Sequence, residues 1–300
     1  MAEHLAQRLI LWRYLIGLLV GALLLVGFGP VYPRASADRQ TSAAAARAPV
    51  TQPKTTVRPP PEPWIVGAAP LPRRPDGFGV VRSTPQALMN RKLPTIDRLP
   101  PPTSTTFQST IAPVPPQVLA RSSWKPACPV PASQLRYLTM SFRGFDARAH
   151  TGEMLVNADV AQTVVDIFKR LFAAGFPIEE MRIMSEVDLK LPPTGDRNNT
   201  EGFICRQPPD QANRSAKNQA PWPAQAYGVA IDLNPFNNPY VTGDLVVPEL
   251  ASSYLARDWA RPGMALDGGP AVTVFESVGW KWGGRWPGPV SFMHFSTDGR

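Results

Sequence analysis

Gln225-Ala226-Tyr227-Gly228-Val229-Ala230-Ile231-Asp232-Leu233-Asn234-Pro235 reads as a β-strand over residues 228–234. Working outward, residues 181–187 and 290–296 also read as strands, residues 135–142 alternate as a strand does, and residues 154–156 form a shorter one. Val160, Val164, Phe168, Leu171 and Phe172 instead recur at helical spacing, with Asn157 placed to cap that helix and Gly175 to end it. A shorter helix is expected over residues 271–278. Strands mixed with few helices and no strand–helix–strand rhythm define an α+β domain, a small antiparallel sheet flanked by helices. Residues 121–300 supply it, a length suited to one core.

Upstream the chain changes character. Arg8 and Arg13 precede an apolar run over residues 15–28 broken only by glycines, and Ala35-Ser36-Ala37 follows as an A-x-A cleavage site. The run has signal-peptide length, and with residues 9–12 it approaches the ~20 residues of a spanning helix. Residues 1–37 are therefore read as a signal peptide or an N-terminal membrane anchor, and no cysteine follows that would make a lipoprotein. Residues 38–120 hold 17 of the 36 prolines, with no sustained apolar period. They read as a basic, largely disordered tether, which as polyproline II would reach roughly 250 Å. Two patches within it, residues 77–81 and 93–99, are apolar enough to dock on the domain.

The net charge of +8 points to a polyanion partner until it is divided by region. Residues 31–119 carry an excess of +7, whereas residues 120–300 have as many acids as bases. The positive charge thus belongs to the tether, where it would hold the chain near anionic membrane or wall polymers, and the neutral domain has no charge to draw nucleic acid. Cys128 and Cys205 are the two cysteines, and in an oxidising compartment they are expected to pair. The bridge would close a long loop and contribute on the order of 4.5 kcal/mol in the chain-entropy model. A cysteine-based zinc site lacks the close-spaced pairs it would need.

Hydrolytic chemistry is thinly provided. Of three histidines, His4 precedes the apolar run, leaving His150 and His294 in the domain. No G-x-S-x-G elbow occurs, a cysteine nucleophile would have to escape the disulfide, and the domain's many acids leave carboxylate-pair chemistry open.

The opening stretch, the block Gly279-Trp280-Lys281-Trp282-Gly283-Gly284-Arg285-Trp286 and the terminal Phe292-Met293-His294-Phe295 together resemble the D-alanyl-D-alanine carboxypeptidase-like zinc peptidases. This VanY-like group includes phage endolysins that cut peptidoglycan stem peptides. The resemblance runs upstream through Phe142-Arg143-Gly144-Phe145, His150-Thr151-Gly152-Glu153, Asn198-Asn199-Thr200 and Phe203-Ile204-Cys205-Arg206, and covers nearly all of residues 135–296. It implies that family's fold and a zinc held by a His, an Asp seven residues on and a distant His, with an acid three positions before the last His as general base. Asp232 and His294 match two of the ligands. Gln225 stands where the first His is expected, and Ser291 where the acid is expected.

An amide oxygen is a poor substitute for imidazole on zinc, and a serine hydroxyl cannot take a proton near neutral pH. Zinc binding and hydrolysis are both expected to be weak or lost. Glu201 replaces a small hydroxyl residue of relatives and reads either as a relocated base or as a solvated surface glutamate. The resemblance implies that Arg206 meets a substrate carboxylate, against a structural ion pair; Trp282 and Trp286 read as an apolar wall for a substrate, against core packing. His150 is expected in its own motif rather than at the metal. The chain thus reads as an exported, membrane-anchored or secreted cell-envelope protein whose domain binds peptidoglycan stem peptides or envelope proteins. Its rivals are an active zinc carboxypeptidase or endopeptidase with an unorthodox site, and a structural spacer.

Overall fold

The computed structural model describes residues 63–206 and 222–299. The expected leader over residues 1–37, and the tether as far as residue 62, lie outside the described residues. Among the described residues no helix is long and apolar enough to cross a membrane.

The architecture is α+β, built from small antiparallel sheets and few helices. β1 (Ser109–Pro113) is followed by α1 (Pro116–Ala120), then by the long hairpin of β2 (Leu135–Arg143) and β3 (Ala149–Asn157). The three strands form one antiparallel sheet in the order β1-β2-β3, with Leu138 opposite both Ile111 and Met154. Asn157 ends β3 and accepts a hydrogen bond from Asp159 N at 3.1 Å, opening a short turn of helix that leads into α2 (Ala161–Ala173). Gly175, at φ +66°, ends it. The buried face of α2, including Val164, Phe168 and Leu171, packs with Leu138, Met140 and Phe142 of β2.

Beyond α2 come β4 (Glu180–Met181) and β5 (Asn199–Thr200), a parallel pair. The strand expected over residues 181–187 is cut short here. Asp188 accepts hydrogen bonds from the Ser185 amide at 2.9 Å and the Arg182 guanidinium at 2.8 Å, and these turn the chain away from the sheet. The remaining elements are α3 (Ala224–Tyr227), β6 (Ala230–Asp232), β7 (Tyr240–Thr242), β8 (Leu245–Val247), α4 (Pro270–Glu276), β9 (Lys281–Trp282), β10 (Val290–Ser291) and β11 (His294–Ser296). They form two antiparallel sheets, β6-β11-β9 and β10-β7-β8, so the strand expected over residues 290–296 divides between both. Phe295 of β11 stacks on Phe275 of α4 at 4.0 Å and joins this half to the α2 core.

The tether expected over residues 38–120 needs correction in its second part, because residues 63–120 pack on the domain. Leu71 and Leu88 are buried with Phe236, Leu250 and Tyr254 in a core of their own, against which Trp64, Val81 and Leu93 also lie. Arg91 is 1 % exposed; its guanidinium holds both oxygens of Glu179 at 2.6 Å, and its amide donates to the Tyr254 hydroxyl at 2.9 Å. Scattered apolar residues in a proline-rich chain show no period, yet Leu71 and Leu93 pack into this core from segments that are neither helix nor strand.

Candidate functional site

The site is assembled by one strand pairing and one helix cap. β6 and β11 are antiparallel with Asp232 directly opposite His294, which sets the two side chains next to each other. The short α3 ends at Gly228, whose φ of +71° is left-handed; a Cβ there would stand 2.7 Å from Asn157 N. This cap turns the chain from α3 into β6 and brings Gln225 back over Asp232.

Gln225, Asp232 and His294 meet around one point. Gln225 Nε2 lies 3.1 and 3.3 Å from the two oxygens of Asp232 and 2.9 Å from His294 Nδ1, and Nδ1 is 3.1 Å from Asp232 Oδ1. The carboxylate can only accept, so the amide presents its N–H groups to it. His294 Nδ1 lies within hydrogen-bonding distance of both groups, so it accepts from the amide when the ring proton is on Nε2 and donates to Asp232 Oδ1 when the proton is on Nδ1. Nitrogen rather than oxygen therefore occupies the space between the carboxylate and the imidazole.

That geometry does not fit a catalytic zinc. An amide nitrogen has no lone pair to give a metal, and an amide oxygen is a poor replacement for the imidazole that a zinc site uses. Among the described residues, no group of three or more His, Cys, Asp and Glu is placed to hold a metal ion.

The three side chains open into a cleft of about 430 Å³, also lined by Arg206, Trp286 and Ser291. The Trp286 ring is tilted against His294 with centroids 5.2 Å apart. Ser291 is 5 % exposed and ends β10, so the expected base position does face the site, but with a hydroxyl. Arg206 follows Cys205, and the Cys128–Cys205 disulfide ties this segment to the domain. Trp282 must be corrected: it does not line the cleft. Its ring stacks towards Phe295, its indole N–H donates to Phe292 O at 2.8 Å, and it is 6 % exposed, which makes it core.

Glu201 pairs with Asp232 through the backbone, N to O at 3.0 Å and O to N at 2.9 Å, and its carboxylate accepts from Asn199 Nδ2 at 2.9 Å. Burial, and then the neighbouring Asp232 charge, push its pKa up to about 8 against that hydrogen bond. Half-buried and hydrogen-bonded to Asn199, Glu201 is not the solvated surface residue expected. Glu201 is absent from the cleft lining, so it is not placed there to act as a relocated base. His150 stays in its own motif, with Nδ1 2.7 Å from Asp97 and Nε2 3.1 Å from Asp146.

Sequence reasoning missed Phe78, Tyr240 and Met293 as walls of the cleft. For Phe78 a signal exists in the sequence, since the patch at residues 77–81 is apolar enough to dock.

Residues 216–297 match the family model described as D-alanyl-D-alanine carboxypeptidase, which supports the family that the ordered motifs resemble. The matched stretch contains Gln225, Asp232, Ser291 and His294 and excludes Phe78, Glu201 and Arg206. Comparison with curated proteins and comparison with solved structures gave no match.

Proposed function

We propose that this is an exported cell-envelope protein whose carboxypeptidase-like domain binds peptidoglycan stem peptides without hydrolysing them. The observation that carries this reading is the Gln225 amide nitrogen between Asp232 and His294, in hydrogen-bonding distance of both. It gives the carboxylate a donor and links the three side chains to one another. Trp286, Met293 and Tyr240 keep an apolar wall beside the polar triad, the mixture that small ligand sites use to bury and orient a peptide. Arg206 at the rim offers a fork for a peptide carboxylate.

Export rests on the apolar run at residues 15–28 and on the disulfide, which persists in oxidising compartments. Residues 1–37 would then act as signal or anchor, leaving the domain outside the cytoplasm near wall peptides or envelope proteins.

The test combines metal analysis with peptide binding on the full-length protein. A peptide ending in D-Ala-D-Ala should bind equally well before and after chelator treatment, remain uncut on prolonged incubation, and find no stoichiometric zinc in the purified protein. Chelator-sensitive cleavage of that peptide by the unmodified protein would establish the active zinc peptidase instead.

A further inference from the structure

The groove has a wall from outside the family-matched stretch. Residues 73–79 form a tight loop, closed by Arg74 N donating to Phe78 O at 2.7 Å and Gly77 N to Arg74 O at 3.0 Å. Both feet of the loop are fixed. The Arg74 guanidinium reaches both oxygens of Asp244 at 2.9 and 3.2 Å, and the buried Gly79 amide donates to Glu249 Oε1 at 2.6 Å. At this close approach a Cβ on Gly79 would stand 3.0 Å from both Glu249 Oε1 and Leu71.

The loop presents Phe78 half-buried, outside the described hydrophobic cores. Phe78 lines both the cleft of Gln225, Asp232 and His294 and a second cleft of about 330 Å³. Arg206 and Val247 also line both, so the two clefts are neighbouring lobes of one groove.

The lobes differ in chemistry. The second contains Arg73 and Arg197 together with Asp76, Asp188 and Glu249. Its acids are already engaged: Asp76 accepts from Arg74 Nε at 3.0 Å, Asp188 from Arg182 at 2.8 and 3.0 Å, and Glu249 from Gly79. Arg73 gives one N–H to Gly77 O at 3.0 Å, and Arg197 lies 4.0 Å from Asp188. A guanidinium has five donors, so these two arginines retain the capacity to grip an anion that the acids lack.

Resting on the peptide-binding reading, we propose that Phe78 divides the groove into two subsites and that the second receives an acidic group of the bound peptide. The ligand class is thus an extended peptide that lies across the Phe78 ring, with a carboxylate some residues away from the end held near Gln225. A dipeptide would fill one lobe only.

The experiment measures fluorescence anisotropy on the full-length protein with three labelled probes. They are an acylated D-Ala-D-Ala dipeptide, a pentapeptide with the same terminus and one internal carboxylate, and its internal amide analogue. The acidic pentapeptide should bind about tenfold tighter than either of the others, the scale of one well-placed anchor. Arg73→Gln combined with Arg197→Gln should bring the acid-over-amide ratio to near one. Phe78→Ala should bring the pentapeptide-over-dipeptide ratio down likewise. Equal binding of acid and amide by the unmodified protein overturns the acidic subsite, and a Phe78→Ala ranking identical to the unmodified protein's overturns the division. Absence of binding by all three probes overturns the peptide-binding reading itself, and this inference with it.

Discussion

Replacing Gln225 by His is the most direct perturbation of the site. The amide nitrogen stands 3.1 Å from Asp232 and 2.9 Å from His294, so an imidazole on the same α3 position is placed to complete a set of three ligands. Structural zinc sites with four ligands are worth about 10–16 kcal/mol at neutral pH, or roughly 3 kcal/mol for each ligand if shared evenly. One added ligand should therefore tighten zinc by about a hundredfold. Competition titration against a chromogenic chelator measures that change, and the gain should vanish in Gln225→His combined with Asp232→Asn. Hydrolysis should still be absent from the single variant, because Ser291 offers no carboxylate to accept a proton. Adding Ser291→Asp supplies that acceptor, and this double variant is where peptide cleavage is expected to appear. An unchanged zinc affinity in Gln225→His would show that Gln225, Asp232 and His294 do not share one centre and would refute the account of the site.

Two further outcomes follow from the packing. Arg91→Met leaves the buried Glu179 carboxylate without its guanidinium and should cost about 3–5 kcal/mol in urea unfolding; a loss under about 1 kcal/mol would contradict the docking of residues 63–120. Burial would raise the pKa of Asp188, but hydrogen bonds from Arg182 and Ser185 prevail and hold it at about 2, below the ordinary 3.8. A depressed carboxylate stabilises the fold above its unfolded pKa and loses that contribution as pH falls through the folded one, so about 2 kcal/mol should disappear between pH 4 and 2. Asp188→Asn should flatten that part of the stability–pH curve, and an unaltered curve would count against the assignment.

The legible parts of the fold were those with a local signal. Asn157, the helical spacing from Val160 to Phe172 and Gly175 announce α2 because cap, face and terminator are all set within one segment. The assembly of Gln225, Asp232 and His294 came from motif order, and the β6–β11 register provides its physical basis. What stayed hidden is non-local. β1 shows no alternation, being exposed along most of its length, and is defined by its pairing to β2. Arg91 looks like a solvated tether charge until Glu179, 88 positions away, supplies its partner. Trp282 and Trp286 are equivalent by composition, and only the turn between them sends one ring into the core and the other to the cleft.

Gln225 also helps to explain how the three side chains are held together. Asp232 and His294 are fixed by the strand register, with side chains only 13 % and 4 % exposed, so they remain adjacent whatever occupies position 225. An apolar residue there would deprive the carboxylate of the amide donor and leave His294 Nδ1 as its side-chain neighbour in the cleft. A glutamate would add a second negative charge beside Asp232, where Glu201 already has its pKa driven upward in part by the same carboxylate. A neutral donor of glutamine's length meets both constraints, reaching the carboxylate and the imidazole from α3. With a neutral amide at position 225 the three side chains stay together, and Phe78, from outside the family-matched stretch, adds a wall to the cleft they open into.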